Sequence, residues 1–194
     1  MTVRVDDGVH ASSLSRASIG RKPLTGPPAQ HYSVRMAIDP GELRRVMGCF
    51  ATGVTIITTR DQGGKPYGLT ANAVTSLSLT PPLLLICVDR KAETYPHFFD
   101  SKLFVLNILA EDQEALSRRF ATTGGDKFVG LDFLHGRLDT PILAGTLGHV
   151  ECRIVETLEG GDHVIHIGQV EHAEAREGRP LLFFRGKYRQ LIGD

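Results

Sequence analysis

Apolar and β-branched residues fall mostly in short runs along the chain, separated by glycine, proline and polar turns. Three such runs, residues 54–59, 83–88 and 103–109, are shorter than a typical helix. Because β-branched side chains pack well on a pleated surface, these runs predict strands. The turn residues 61–64, DQGG, separate the first run from another extended segment at 67–76. This spacing predicts a hairpin.

Extended segments also dominate the carboxyl-terminal third. Residues 147–158 and 163–171 flank the pair Gly160-Gly161, which predicts a second hairpin. Residues 181–185 and 188–191 add two further extended segments. Strands outnumber helices and hairpins connect them. The chain is therefore predicted to be mainly β, an antiparallel barrel or sandwich with peripheral helices rather than a parallel α/β sheet.

One helix is predicted near the start of the compact region. Asp39 can cap it, Pro40 suits its first position, and Glu42 stands where a capping-box acid belongs. Gly53 can end it. Apolar residues follow the cap at helical spacing: Leu43, Val46, Met47 and Phe50.

A second helix is predicted at residues 111–121, where Leu116 and Phe120 are four apart and acidic residues come first. Residues 122–140 are rich in glycine and predict a loop.

Residues 1–35 differ from the rest of the chain. They contain several serines, a Pro-Pro pair and scattered basic residues without sustained periodicity, which predicts a flexible tail. The expected domain is residues 36–194. Because MAIDPGELRR resembles the opening of a compact domain, Met36 is a candidate for the working start, which the intact mass of the native protein would decide.

Composition and charge give no reason to expect a nucleic-acid or membrane partner. Among 194 residues, 22 Lys+Arg balance 22 Asp+Glu, so overall charge favours neither nucleic acid nor an anionic membrane. No apolar run approaches the ~20 residues that span a bilayer. The three cysteines are far apart and form no CxxC. They predict neither a zinc site nor a disulfide framework, and they are typical of a reducing cytoplasm.

The familiar catalytic motifs are missing from the sequence. It has no G-x-G-x-x-G after a strand, no phosphate-binding P-loop, no G-x-S-x-G and no H-E-x-x-H. A Rossmann dehydrogenase, a nucleoside triphosphatase and an α/β hydrolase are therefore disfavoured. We predict no metal site, because His163 and His166 would face opposite sides of a strand and the other histidines are scattered.

Residues 68–78 are small and rich in hydroxyl groups. Without a bulge, Gly68, Thr70, Asn72 and Ser76 would face one side. Small residues let backbone groups approach the edge of a planar ring such as flavin, whose N5, O4 and N3 are polar. An exposed sheet face that uses Thr and Ser for β-propensity is an equal alternative.

Two cations follow the apolar run 83–88. Arg90 and Lys91, with Thr94 after them, could meet a phosphate beside the sheet, and Arg118 and Arg119 could add to it. A solvated turn is the alternative, and the charges alone favour it.

His163 stands at the root of a predicted strand, just after the turn Gly160-Gly161-Asp162. A histidine there can stack, donate a hydrogen bond or neutralise developing negative charge.

Six segments in order carry a family resemblance: VMGCFATGVTIITT, GLTANAVTSLSLTPPLLLICVDR, FVLNIL, RRFATTGGDKF, GGDHVIHIGQV and PLLFFRGKY. Over residues 39–191 the chain resembles the short-chain flavin reductases of two-component monooxygenases. The resemblance implies an FMN-binding split barrel with Greek-key antiparallel strands, and a homodimer with the flavin near its interface. It also implies hydride transfer from NADH or NADPH to FMN or FAD, which then supplies reduced flavin to a partner monooxygenase.

The resemblance also implies site residues. His163 would act in catalysis by positioning the nicotinamide, between Asp162 and Val164, which contact the same nucleotide. Many relatives have serine at Ala73, so a side-chain hydrogen bond to flavin is in doubt there while the backbone contact remains. The implied flavin contacts, those at the flavin tail included, are Gly68, Leu69, Thr70, Asn72, Ala73, Cys87, Val88, Asp89, Thr94, Phe120 and Tyr188.

Three alternatives stay open. A flavin-retaining oxidase of the same fold, such as a pyridoxamine-phosphate oxidase-like protein, would oxidise an organic substrate without a partner. A non-catalytic flavin-binding protein would show no nicotinamide turnover, and an interaction module would bind no flavin. The segment Gly161-Asp162-His163 argues against the last two.

Overall fold

A computed structural model describes residues 38–192. The predicted tail, residues 1–35, and the candidate start Met36 lie outside this part of the chain. Within 38–192, no helix combines the length and the apolar character that a bilayer crossing requires.

Helix α1, Pro40–Met47, begins where the capping residues predict. Asp39 Oδ1 accepts hydrogen bonds from the backbone N–H groups of Gly41 and Glu42, at 2.8 and 3.1 Å. The Glu42 carboxylate pairs with Arg45 instead of completing a capping box. The helix buries none of its residues and ends at Gly48, so the predicted end at Gly53 is wrong. Its apolar side chains do not pack into a hydrophobic core formed by residues 38–192. At least half of the surface of each is exposed: Leu43, Val46, Met47 and, just beyond the helix, Phe50.

Strands make up most of the remaining regular structure, with two more helices, α2 (His97–Ser101) and α3 (Glu114–Ala121). In chain order the strands are β1 Thr52–Gly53, β2 Thr55–Arg60, β3 Pro66–Ala71, β4 Val74–Leu79, β5 Pro82–Asp89, β6 Leu103–Ile108, β7 Phe133–His135, β8 Pro141–Leu143, β9 Gly148–Gly160, β10 His163–Ala175, β11 Leu182–Phe184 and β12 Lys187–Arg189.

Seven strands pair in the order β3-β2-β6-β9-β10-β5-β4, and every pair is antiparallel. The edge strands β3 and β4 are connected by Asn72 and Ala73 alone. In a flat sheet, six gaps of ~4.8 Å would separate these edges by about 29 Å. The link from Ala71 to Val74 reaches at most about 11 Å. The sheet must therefore curl until its edges adjoin, which confirms the predicted antiparallel barrel.

The prediction of one continuous strand at 67–76 is wrong. Strand β3 ends at Ala71, and after two residues the chain continues as β4 at the other edge of the sheet. Ala71 O accepts a hydrogen bond from Thr55 Oγ1 at 2.6 Å, whereas Ala73 O accepts one from the backbone N–H of Cys87 at 2.9 Å. Each half is thus anchored to a different neighbour. Ser76 belongs to the other edge strand and shares no wall with Gly68.

Other differences concern contacts distant in sequence. The hairpin of β7 and β8 lies largely in the segment predicted as a loop. Strand β10 extends to Ala175, beyond the predicted residue 171, because β9 keeps pairing with it. Helix α3 begins at Glu114, three residues later than predicted. Strands β11 and β12 pair as a hairpin and join β1 in a second small sheet.

A cluster of apolar side chains between the barrel and the small sheet places α3. Phe120 of α3 is 1% exposed and packs edge-on against Phe128, with ring centroids 5.1 Å apart. The ring lies where Gly68 of β3 leaves room, since a Cβ there would approach Phe120 Cε1 to 2.7 Å. This contact holds α3 against β3, where the site lies.

Candidate functional site

A groove runs along β3, α3 and the segment after β5. It consists of three adjoining cavities of about 200, 340 and 220 Å³. Thr70 lines the first and second cavities, and Thr94 and Lys127 line the second and third. We call the first cavity the neutral end and the other two the lysine end.

The neutral end has no charged side chain in its walls. Thr70 Oγ1 donates a hydrogen bond to the backbone oxygen of Ser117 at 2.6 Å, and Ser117 Oγ lies 2.9 Å from the Tyr188 hydroxyl. Asn72 Nδ2 donates to Thr52 Oγ1 at 3.1 Å. These bonds fix polar groups around a space suited to an uncharged planar ring. The walls are Val54, Thr70, Ala71, Asn72, Ala121, Phe183 and Tyr188.

The lysine end offers charge. Three lysines and three acids line it, together with the buried Thr94: Lys65, Lys91, Lys127, Asp89, Glu93 and Asp126. Thr94 Oγ1 donates to the backbone oxygen of Gly68 at 3.0 Å, which ties the segment after β5 to β3.

Lys127 lies against the backbone of two groove residues. Its Nζ is 3.5 Å from Gly68 O and 3.4 Å from Phe120 O. Partial burial lowers the Lys127 pKa, and the charge of Glu93 opposes that shift. An ammonium group has three donors, so one remains for an anion.

The arginines predicted for the phosphate do not line the lysine end, although Arg118 lies over the ring of Tyr188, with 4.8 Å between its Cζ and the ring centroid. Arg90 contacts the carboxylate of Glu159 and donates to Gly161 O at 3.3 Å. Arg118 pairs with Glu114 at 2.7 Å, and Arg119 donates to a loop carbonyl. Of the two interpretations given to Arg90, the structure favours the one without a phosphate, because the β9–β10 hairpin brings an acid against it. Lys91 lines the lysine end.

The turn with the predicted catalytic histidine lies beside the end of β5. His163 pairs with Asp89 across the two strands, and Asp162 O accepts a hydrogen bond from the Arg90 N–H at 3.1 Å. His163 Nδ1 lies 2.8 Å from Asp162 Oδ1, and this bond lowers the pKa of Asp162. The His163 side chain is 41% exposed, so it is free to meet a second ligand.

The predicted site residues divide into three sets. Val88 and Val164 face each other across β5 and β10 and are buried in the core, so only their backbone can contact a ligand. Ala73, Cys87, Asp162 and His163 border the groove without lining its cavities, and burial raises the pKa of the Cys87 thiol. The groove walls hold the rest: Gly68, Leu69, Thr70, Asn72, Asp89, Thr94, Phe120 and Tyr188.

Among the residues in or beside the groove that sequence reasoning missed, three bear directly on its chemistry. Lys127 stands in a glycine-rich loop, where nothing local shows which strand it will contact. Glu93 lies between Lys91 and Thr94, in a segment whose sequence draws attention to its cations rather than to an acid. Ser117 is buried and orients Thr70 and Tyr188, although its only sequence signal is a small polar residue on the helix face of Phe120.

Residues 47–192 match the family described as "Flavin reductase like domain". The chain belongs to this family. It is 44% identical over 159 residues to the reductase subunit HsaB of a flavin-dependent monooxygenase from Rhodococcus jostii, with 81% of each chain covered. This confirms the resemblance seen in the six segments.

Solved structures of other flavin reductases share the fold. A homolog of nitrilotriacetate monooxygenase component B from Mycobacterium thermoresistibile superposes with a TM-score of 0.76 at 40% identity, covering 80% of this chain and 88% of that one. The NADH:FAD oxidoreductase SgcE6 of Streptomyces globisporus, in complex with NAD and FAD fragments, gives a TM-score of 0.76 at 38% identity, covering 81% and 97%. Membership of this family makes the chain an oxidoreductase of the flavin reductase type.

Proposed function

We propose that this reductase oxidises NADH or NADPH and reduces FMN or FAD in the groove. The observation that carries the proposal is that the neutral, partly aromatic end of the groove adjoins the lysine end, since Thr70 lines both. A flavin has the same division, a flat ring followed by a phosphorylated tail. When bound, it supplies the hydride acceptor, and the protein supplies orientation and electrostatics.

The ring would lie at the neutral end. Thr70 and Asn72 offer uncharged polar groups there, and the hydrogen-bonded pair of Ser117 and Tyr188 keeps that wall in place. The tail would extend to Lys91 and Lys127, where ammonium donors meet a phosphate.

His163 would position the nicotinamide nucleotide. It stands at the end of β5, is held by Asp162, and exposes enough of its ring to contact a second planar ligand. Stacking two rings at ~3–3.5 Å makes proximity the main source of rate.

NADH and FAD are the favoured pair. A relative from Streptomyces globisporus, 39% identical over 180 residues, bears the name NADH-dependent FAD reductase. FMN and NADPH serve as the comparison substrates in the assay below.

Reduced flavin would pass to a separate monooxygenase. The relatives from Rhodococcus jostii and Rhodococcus opacus are named as reductase components of monooxygenases. The groove is open and its ring contacts are neutral, which suits moderate affinity and release.

The test is an assay of pyridine-nucleotide oxidation by purified protein with FMN, FAD and riboflavin in turn. A colourless protein that oxidises NADH only when flavin is added supports the proposal. Retained flavin with oxidation of an organic substrate would favour the oxidase alternative. Flavin binding without oxidation of the nicotinamide nucleotide would favour the non-catalytic flavin-binding alternative.

We also propose a homodimer. Leu79 is 86% exposed at the end of β4, beside a cavity of about 310 Å³ with mostly apolar walls, and the apolar side of α1 is exposed too. A second copy covering these surfaces would remove them from water. Light scattering of the wild type and of Leu79→Glu tests this, and a monomeric wild type would contradict it.

The domain at residues 36–194 and the cytoplasmic location remain proposals as well. The family match at residues 47–192 lies inside that domain. The three free cysteines, Cys49, Cys87 and Cys152, suit a reducing compartment.

A further inference from the structure

Three potential metal ligands meet on the β9–β10 ribbon. His149, Glu151 and His172 each bring one ligand atom to within 4.8 Å of the other two. His149 and Glu151 are two apart on β9 and share a face, and His172 lies directly opposite Glu151 on β10. Strand pairing creates this cluster, so the prediction of no metal site missed it.

Glu151 is an unusual residue for its surroundings. Its side chain is 1% exposed, and its Oε2 accepts a hydrogen bond from the backbone N–H of Leu138 at 2.9 Å. Its Oε1 is buried and has no hydrogen-bond partner among residues 38–192. A buried carboxylate oxygen without a partner is costly, and a cation beside it would offset that cost.

The histidine opposite is held by another carboxylate. His172 Nε2 lies 2.8 Å from Glu174 Oε1. Metal-binding histidines commonly use their second nitrogen in this way, because a carboxylate partner fixes the ring and makes it a better ligand. Glu174 therefore has the place of a supporting group rather than of a ligand.

We propose that His149, Glu151 and His172 bind one divalent transition-metal ion, with Zn²⁺ the best match. Two imidazoles and one carboxylate are an established zinc donor set that leaves a fourth position for water. Ligand atoms around tetrahedral zinc lie about 3.4 Å apart. The two half-buried rings would close the remaining gap by rotation, while Glu151 stays bound to Leu138.

The ion would act as a clip. It would join β9 to β10 and, through Glu151 and Leu138, to the loop between β7 and β8. None of the three ligands lines the groove, so the site is independent of the proposed flavin chemistry.

The experiment uses the full chain, stripped with a chelator and then titrated with zinc chloride by calorimetry. Zinc retained after gel filtration is measured by elemental analysis. The variants are Glu151→Gln and the double change His149→Ala with His172→Ala. The matched control is His135→Gln, which removes an exposed histidine outside the cluster.

The wild type and the control should each retain one equivalent of zinc, and the variants should lose it. With zinc at a hundredfold excess over its Kd, the wild type should melt about 5–10 °C higher than the stripped protein. Cobalt chloride should give a visible absorption band in the wild type and the control, and none in the variants. If the wild type retains no zinc, the proposal is overturned whatever the variants do. It is also overturned if the folded double variant retains as much zinc as the wild type.

Discussion

Substituting Gly68 by alanine tests how β3 and α3 define the groove. A Cβ at this position would lie 2.7 and 2.9 Å from Cε1 and Cδ1 of Phe120, and 3.3 Å from Ile57 O. The ring cannot easily move away, because it is 1% exposed and packs against Phe128. Gly68→Ala must therefore push α3 away from β3.

Overpacking of this kind costs about 1–3 kcal/mol. For a chain of this size, each kcal/mol lowers Tm by roughly 2–4 °C, so a fall of about 5 °C is expected. Gly68 and Phe120 also line the lysine end, so the displacement should weaken flavin binding. A tenfold rise in flavin Kd would correspond to about 1.4 kcal/mol.

The assay is a double-mutant cycle read by thermal melting and by flavin fluorescence titration. Phe120→Leu removes Cε1, the ring carbon that would come closest, and replaces the rigid ring by a smaller side chain, so Gly68→Ala should cost less in that background than in the wild type. Gly53→Ala is the matched control: a Cβ there meets nothing within 4 Å, so stability should change by less than about 0.5 kcal/mol. A Gly68→Ala penalty that is equal in both backgrounds would refute the steric explanation.

Three further predictions concern single side chains. His163→Ala should raise the Michaelis constant for the nicotinamide more than it lowers turnover, and a collapse of turnover with an unchanged constant in steady-state assays would count against a positioning role. Lys127→Met should weaken FMN binding roughly tenfold while riboflavin binding changes little, because riboflavin has no phosphate. Since burial lowers the Lys127 pKa, Lys127 should lose its charge, and the protein its preference for FMN over riboflavin, at a lower pH than with an ordinary lysine. Fluorescence titrations up to pH ~10 check this, and equal losses of FMN and riboflavin affinity would contradict it. Burial lowers the pKa of His166 to about 4 from its ordinary 6.5. Between pH 6.5 and about 4, His166 is therefore protonated in the unfolded chain but neutral in the folded one. Stability should fall by up to about 3 kcal/mol as pH drops through this window, and urea unfolding of His166→Gln should lose this slope.

Features that depend on neighbouring residues were predictable. β-branched runs located β2, β5 and β6, because their side chains must be buried on a pleated surface whatever lies beside them. The start of α1 followed from Asp39 and Pro40, since capping involves only the next few backbone groups. The groove residues from Gly68 to Thr94 followed from one continuous segment whose resemblance to a family is specific.

Features that depend on register between distant strands were not predictable. The sequence left Arg90 open between a phosphate contact and a solvated turn, and the β9–β10 hairpin places Glu159 beside it. Lys127 reaches Gly68 only because its loop folds back over β3. The cluster of His149, Glu151 and His172 exists only in the observed pairing, and a shift of one residue would move His172 to the other face.

Gly68 shows how a residue in the groove wall can be small for a reason other than the one that the sequence suggested. The sequence suggested that its small size lets backbone approach a flavin ring. In the fold the space above it is filled by Phe120, and its carbonyl already accepts from Thr94 and lies beside Lys127. The glycine is thus required by the packing of the protein on itself. Open wall for a planar ring begins instead at Thr70 and continues to Asn72, where the cavity is neutral, so substitutions there should alter ring binding without the folding penalty expected at Gly68.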